Sequence, residues 1–197
     1  MLKAFLFLFG IFASSVSHAR VFYPLMQIGY DGGGESLRDQ SDQSDFDINA
    51  GTGLFISGGT IIRVSDTNPH AFEAQLTVAY KFSWDTDEDK GDVNWTNIPL
   101  ELMYFYKNKR NGFRLGYGAS YYMSSKLEGE GGRSDINRKY ENRFGYILAI
   151  EKMIENHRDE GMLSYGIRYN IRDFVPKSDG SKKSGDAFGL YMTVAFP

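Results

Sequence analysis

The chain has 197 residues, of which 42% are apolar and 24% charged, and it contains no cysteine. This length suits one domain with a hydrophobic core, and the lack of cysteine excludes a disulfide scaffold and a thiolate metal site. The formal net charge of −3 argues against nucleic acid as the partner, because phosphate-binding domains usually carry an excess of Lys and Arg. Aromatic residues make up 15% of the chain beside 22 glycines, a mixture that favours strands and turns over helices.

The N-terminal segment has the features of a secretory signal peptide. Lys3 supplies one positive charge before the uncharged run 4–13, and the small residues Ser17 and Ala19 occupy the positions that a signal peptidase reads. A membrane anchor is the alternative, but this run falls well short of the roughly 20 apolar residues that span a bilayer as a helix. We therefore predict a signal peptide over residues 1–19, cleaved after Ala19, and export of the mature chain.

Beyond Ala19 the chain alternates apolar and polar residues, which predicts strands with two different faces. In the strictest example, Phe72–Trp84, every second residue from Phe72 is apolar. No repeat, linker or break in composition divides the mature chain, so we expect one domain over residues 20–197. In chain order the pattern predicts eight strands: Phe22–Tyr30, Phe46–Val64, Phe72–Trp84, Trp95–Tyr106, Phe113–Met123, Tyr140–Lys152, Leu163–Ile171 and Phe188–Phe196.

The predicted connections alternate in length, which is typical of an up-and-down meander with long loops at one end and short turns at the other. The connection at 153–160 is of intermediate length. The short ones are 65–70 and 107–112, and the long ones are 31–45, 85–94, 126–139 and 176–185.

The composition of the two faces decides which solvent each one meets. A soluble barrel turns its apolar face inward and carries a densely charged exterior. Here the polar face is rich in Gly, Ala, Ser and Thr, which suits a narrow interior, while the apolar face carries aromatic residues near both ends. We therefore predict a lipid-facing band about 25 Å tall, with a soluble periplasmic barrel as the alternative. The predicted aromatic girdle comprises Tyr30, Trp84, Trp95, Phe72, Tyr104, Tyr106, Phe113 and Phe196.

With this pattern the chain resembles the eight-stranded outer-membrane barrels of Gram-negative bacteria, of the OmpA, OmpX and opacity-protein type. The resemblance covers the mature chain and depends on the signal peptide, the eight alternating strands, the loop lengths and the aromatic last strand. It implies an all-β fold, a single antiparallel up-and-down transmembrane barrel, with both termini in the periplasm and the long loops outside. It also implies assembly by the outer-membrane machinery through the last strand. The family usually ends on Phe, whereas Pro197 follows Phe196 here.

The interior of an eight-stranded barrel is just wide enough for side chains, so charges on the polar face must meet one another. Unpaired charges there would be strongly unfavourable. We therefore predict a salt-bridge network that plugs the lumen, with a narrow or gated aqueous path as the alternative. Its predicted members are Glu73, Lys81, Glu101, Arg114, Arg143, Glu151, Arg168 and Arg172.

No motif of catalysis or cofactor binding emerges. His70 and His157 fall in predicted periplasmic turns, and Ser164 is the nearest plausible partner of His157, without a supporting acid. The Gly51-Thr52-Gly53 segment lacks the third glycine of a dinucleotide fingerprint. We expect no enzyme and no cofactor, and we keep a lipid-A-modifying enzyme as an alternative.

Charged residues in the predicted loops raise two ligand hypotheses, a metal ion and the phosphates of lipopolysaccharide. The acidic run at 85–89 fails the EF-hand template, because position six is Lys90 and position twelve is Thr96, so we expect a solvated loop without metal. Bases in the last two long loops are able to pair with phosphates of lipopolysaccharide. They are Lys126, Arg133, Arg138, Lys139, Lys177, Lys182 and Lys183.

These features together predict a monomeric integral protein of the outer membrane, surrounded by lipid and lipopolysaccharide. We expect a non-enzymatic surface protein whose barrel carries long outer loops that meet the envelope or external ligands. A conduit for small or hydrophobic solutes is the alternative, because a barrel of this kind hosts several functions.

Overall fold

The computed structural model describes residues 22–38, 47–87, 91–130, 136–155, 162–178 and 180–196. Within these ranges the chain forms strands and connections, and no helix is long and apolar enough to cross a membrane. The strands are β1 Phe22–Gly33, β2 Gly53–Thr67, β3 His70–Asp87, β4 Gly91–Asn108, β5 Phe113–Glu130, β6 Ile136–Lys139, β7 Phe144–Glu155, β8 Met162–Ile171, β9 Asp173–Phe174, β10 Lys183–Ser184 and β11 Ala187–Ala195.

Eight of these strands close into one antiparallel barrel, which confirms the predicted fold class. Strands β1 to β5 pair in chain order, followed by β7, β8 and β11, and β11 pairs back onto β1 to close the ring. The short strand β6 extends the pairing of β5 at the long-loop end, and β9 pairs with β10 outside the ring. Because the ring is closed, β1 and β11 leave no open sheet edge between them.

Strands β3, β4 and β5 extend further into the predicted long loops than the alternation predicted, whereas β2 and β7 begin later than predicted, at Gly53 and Phe144. The predicted loop 85–94 is mostly strand, because β3 continues to Asp87 and β4 starts at Gly91. In the same way β5 continues to Glu130 within the predicted loop 126–139. The sheet therefore rises well beyond the apolar part of the barrel at the long-loop end. The connections at 68–69 and 109–112 are short, as predicted.

Burial follows the alternation along each strand, and β11 gives the simplest example. Phe188 and Leu190 are 70% and 68% exposed, whereas Tyr191 and Thr193, on the opposite face of the same strand, are buried. Large apolar side chains thus cover the outside, while small and polar side chains fill the inside. The predicted signal peptide, residues 1–19 with its cleavage site after Ala19, lies outside the described residues.

Candidate functional site

A buried ion cluster fills the barrel interior near the short-turn end. Arg114 on β5 meets two carboxylates, with its Nε 3.2 Å from Glu73 on β3 and its Nη1 3.0 Å from Glu151 on β7. The guanidinium also lies over the Phe105 ring, 4.0 Å from its centroid. Because β3, β5 and β7 are not all adjacent, this cluster ties separate parts of the wall together through the lumen.

Two hydroxyl groups complete the coordination of Glu151. The Tyr191 hydroxyl donates to its Oε1 at 2.7 Å, and the Ser164 hydroxyl donates to its Oε2 at 2.8 Å. Both carboxylate oxygens are therefore bonded, which is the condition under which a buried charge is tolerated.

A second ion cluster lies closer to the long-loop end and is organised around Asp31. The Arg168 guanidinium on β8 binds both oxygens of Asp31, Nε to Oδ1 at 2.9 Å and Nη2 to Oδ2 at 2.7 Å. The Lys81 ammonium on β3 binds the same carboxylate at 2.9 Å. Arg168 reaches further, to Glu101 on β4 at 3.3 Å, and Glu101 accepts a hydrogen bond from Thr77. The cluster therefore crosses the lumen from β1 to β4.

Asp31 is a buried member of the lumen network that the sequence-based prediction missed. The alternation ends β1 at Tyr30 and leaves Asp31 in the first long loop. In the structure β1 continues to Gly33 and keeps Asp31 on the inward face that Gln27 also occupies. Counting by twos from Gln27 would have found it. Gly189 opposite makes room for it, since a Cβ at that position would collide with the Asp31 carboxylate.

The buried guanidinium of Arg172 makes no ion pair with a carboxylate among the described residues. Its Nε donates to the Gly185 carbonyl at 3.1 Å, its Nη2 to the Gly51 carbonyl at 3.2 Å, and its Nη1 to the Tyr122 hydroxyl. The guanidinium also lies 5.5 Å from the centre of the Phe174 ring. Carbonyl dipoles and aromatic faces thus replace the ion pair that the other buried arginines have.

Arg143 was predicted in the lumen, and this prediction is wrong. Strand β7 begins at Phe144, so Arg143 precedes the strand, and its side chain is 40% exposed. It pairs with Glu141 at 2.9 Å.

With Asp31 included and Arg143 removed, the buried charges of the described residues balance. There are four carboxylates and four cations in the barrel interior, so the lumen carries no net charge. They are Asp31, Glu73, Glu101 and Glu151 against Lys81, Arg114, Arg168 and Arg172.

An apolar cluster lies inside the barrel at its long-loop end, beyond the Asp31 cluster. At its centre the Trp95 ring packs edge-on against Tyr140 and Phe174, with ring centroids 4.9 and 5.1 Å apart. The Trp95 indole N–H donates to the Ala50 carbonyl at 3.1 Å. We call this cluster the outer cap, and its members are Leu37, Ile48, Ala50, Val93, Trp95, Tyr122, Leu127, Tyr140 and Phe174.

The prediction that Trp95 belongs to the lipid-facing girdle is therefore wrong. Its exposed fraction is 0%, and it lies on the same inward face of β4 as Asn97 and Glu101. Its neighbour Asn94 is the register partner of Trp84 on the apolar band, so Trp95 lies at the height of the girdle but on the inward face of the barrel. The interior is apolar at this height because the outer cap fills it.

The barrel wall is interrupted on both sides of Pro99 in β4. Proline has no N–H for the ladder, and the pairing of β3 with β4 omits Pro99 and the preceding Ile98. On the other side β5 has a register shift between the partners of Ile98 and Pro99. Beside this break, Asn97 and Ser125 face each other across β4 and β5, buried and without hydrogen-bond partners for their side chains.

A continuous apolar band surrounds the ring of strands. All eight barrel strands contribute exposed large apolar side chains to it, such as Tyr117 at 63% and Tyr146 at 67%. Among the described residues the outward positions of this band carry one charge, Lys152, at the short-turn rim over the Phe113 ring. An apolar exterior around a charged interior is the reverse of a soluble barrel and is typical of barrels that face lipid.

Comparison with solved structures agrees with this arrangement. Neisserial surface protein A (NspA) is similar over 90% of this chain and 99% of that chain, with 15% identity and a TM-score of 0.50. A major outer membrane protein from Thermus thermophilus is similar over 90% and 99%, with 13% identity and a TM-score of 0.50. The chain has the eight-stranded outer-membrane barrel fold. No protein-family model and no curated protein sequence matches the chain.

The other predicted girdle residues lie on the outside of this outer-membrane barrel fold. Four of them are well exposed: Tyr30, Trp84, Phe113 and Phe196. The remaining three are half-buried because they pack on one another, with Phe72 5.9 Å from Tyr104 and 5.6 Å from Tyr106.

Two of the three residues singled out for an enzyme, Ser164 and His70, lie within the described residues. Ser164 is fully buried in the lumen and donates to Glu151. His70 lies at the short-turn end, where its Nδ1 is 2.6 Å from the Tyr106 hydroxyl. His157 lies outside the described residues.

Proposed function

We propose that this chain is an integral, non-enzymatic protein of the outer membrane. Its barrel is closed to solutes and anchors the segments at its long-loop end. The observation that carries the proposal is the filled interior. Two ion clusters and the outer cap occupy the lumen in succession along the barrel axis. A barrel closed in this way presents its outer surface and its outer connections, rather than a pore, to other molecules.

The apolar band supports the membrane location. Burying such a surface in water-free lipid is favourable, while a single rim lysine among its described outward positions is inexpensive. In the proposed orientation the short turns and both ends of the mature chain face the periplasm, and the outer cap faces the outside. Fractionation of cells, with heat-modifiable mobility on a gel, tests this location. A soluble periplasmic product overturns it.

We further propose that the protein is a monomer inserted by the outer-membrane assembly machinery through β11. Ring closure by β1 and β11 supports the monomer, because no barrel edge is left for a second copy. The exposed Phe188, Leu190 and Phe196 support β11 as the recognised strand. Replacing Phe196 with Ser is expected to lower the inserted fraction, and unchanged insertion contradicts this role.

The proposed lack of enzymatic activity is supported by the position of Ser164. Ser164 is committed to Glu151 inside the lumen, where a membrane lipid has no access to it. Expression of the protein is expected to leave the mass spectrum of extracted lipid A unchanged. A new lipid A species that disappears with Ser164→Ala would instead establish the enzyme.

A second candidate function is a conduit for small or hydrophobic solutes, and the interruption at Pro99 favours it. The missing ladder bonds weaken the wall where Asn97 and Ser125 have no protein partners. The test is uptake of an apolar solute into proteoliposomes. Uptake by the wild type that is lost in Pro99→Val would support a conduit and contradict a closed barrel.

A further inference from the structure

Three lysines form one cross-strand row on the outward face of the barrel at the long-loop end. Lys126 on β5 is the register partner of Lys139 on β6. The N–H of Lys177 donates to the Lys139 carbonyl at 2.9 Å, next to the bridge between Tyr140 and Pro176. Register partners share a face of the sheet, with Cβ atoms about 4.5–5.5 Å apart. We call Lys126, Lys139 and Lys177 the lysine row.

The lysine row has no acidic partner among the described residues. None of its three side chains makes an ion pair there, and the nearby Glu141 is engaged by Arg143 at 2.9 Å. Glu128, on the same outward face, is the register partner of Asn137 in the next row. Like charges opposite each other destabilise a sheet. A bound anion would remove this repulsion.

The height of the lysine row places it at the rim of the apolar band. Lys126 follows Met123, the last exposed large apolar residue of β5. The register continues from Lys126 to Thr96 on β4 and then to Phe82 on β3. Phe82 stacks on Trp84 with ring centroids 5.7 Å apart, in the aromatic girdle. Girdles of this kind mark the interface between the acyl chains and the headgroups.

We propose that the lysine row binds the phosphate groups of a phosphorylated glycolipid in the outer leaflet, the lipid A part of lipopolysaccharide. The proposal rests on the proposed function, because it requires the long-loop end to face that leaflet. Ammonium groups make short, charge-assisted hydrogen bonds to phosphate oxygens, and three of them in a row suit a ligand with two phosphates.

The structure changes which bases form this site. Arg138, one of the loop bases named from the sequence as able to pair with lipopolysaccharide, turns inward and donates to the Leu37 carbonyl at 3.4 Å. Lys182 is paired with Asp173 at 3.0 Å. The lysine row is instead formed by register, which brings together residues far apart in the sequence.

The test compares three forms of the full chain, folded in detergent and titrated with lipid. They are the wild type, Lys126→Gln/Lys139→Gln, and a control, Arg110→Gln/Lys182→Gln, that removes the same charge outside the row. The ligands are bisphosphorylated lipid A, dephosphorylated lipid A and phosphatidylglycerol. On the scale of charge-assisted hydrogen bonds, we expect the row variant to bind bisphosphorylated lipid A about 100-fold more weakly. The control is expected to stay within about threefold of the wild type, and dephosphorylated lipid A to bind the wild type weakly.

Equal binding of bisphosphorylated lipid A by the wild type and the row variant would overturn the proposal. So would an equal loss in the control variant, or wild-type affinity for phosphatidylglycerol as high as for lipid A. Heat-modifiable mobility and vesicle insertion of the same samples separate this failure from that of the proposed function. A wild type that inserts but does not distinguish the lipids defeats the lysine row alone, whereas a wild type that does not insert defeats both.

Discussion

Arg168 on β8 and Asp31 on β1 form a bidentate ion pair over the intervening strand β11, with both carboxylate oxygens of Asp31 bound by the same guanidinium. Lys81 binds that carboxylate as well, so one buried acid serves two buried cations. Arg168 in turn reaches Glu101 on the far side of the lumen. The pair therefore connects β1, β3, β4 and β8 at a level where the barrel has no other charged contact between them among the described residues.

Replacing Asp31 with Asn is expected to lower the free energy of unfolding by about 3–5 kcal/mol. The change keeps the shape but leaves Lys81 and Arg168 without their shared carboxylate in a buried site. Urea unfolding in phospholipid vesicles measures it. Asp173→Asn is the matched control, because the exposed pair of Asp173 with Lys182 should contribute about 0–1 kcal/mol. Equal losses in the two variants would contradict the role given to Asp31.

Tyr191→Phe is expected to cost about 1.5–3 kcal/mol, the range for a hydrogen bond to a charged group. The variant removes the hydroxyl that donates to Glu151 at 2.7 Å and leaves the ring in place. The cost should shrink markedly in a Glu151→Gln background, since the charged acceptor is then absent. A double-mutant cycle in the same urea assay measures this coupling, and strictly additive costs would show that the two groups act independently.

The two tryptophans are expected to respond oppositely to lipids with brominated acyl chains. Trp84 is 56% exposed on the apolar band, whereas Trp95 is enclosed in the outer cap. The fluorescence of Trp95→Phe, which retains Trp84, should be strongly quenched in such vesicles. The fluorescence of Trp84→Phe, which retains Trp95, should be almost unaffected. Strong quenching in this variant would show that Trp95 faces lipid as a member of the girdle.

Asn97→Leu is expected to leave the stability unchanged or to raise it. The Asn97 amide is buried without a partner, and each such unpaired group costs about 1–3 kcal/mol. Gln27→Met is the matched control, because the Gln27 amide bonds Thr193 at 2.8 Å and Ser57 at 3.1 Å. The control should lose stability in urea. A loss in Asn97→Leu as large as that in Gln27→Met would show that the Asn97 amide is bonded in the membrane.

The fold was predictable because lipid and lumen impose opposite demands on successive residues. Strand number, ring closure and the outward position of residues such as Trp84 and Phe113 follow from this two-residue period. The wrong predictions come from places where that period loses its meaning. Arg143 stands before the start of β7, where alternation no longer fixes a face.

Trp95 and Asp31 show a second limit, which concerns the face that a residue occupies near the end of its strand. The usual preferences of their residue types favour a girdle for tryptophan and a loop for aspartate. In the fold β4 already starts at Gly91 and β1 continues to Gly33, so both side chains lie on inward faces, Trp95 in the outer cap and Asp31 in the lumen. The lysine row could not be predicted from the sequence for a different reason. The partners of Lys139 depend on the strand register, which the alternation alone does not specify.

The claim that the lumen is closed is tested most directly by conductance in planar lipid bilayers. The account predicts that the native protein, inserted and heat-modifiable, gives no stable open channel at high KCl concentration. The ion pairs around Arg114 and Asp31 and the outer cap follow one another through the described interior, and we expect them to block an aqueous path. Stable, long-lived conductance steps from the native protein would contradict it.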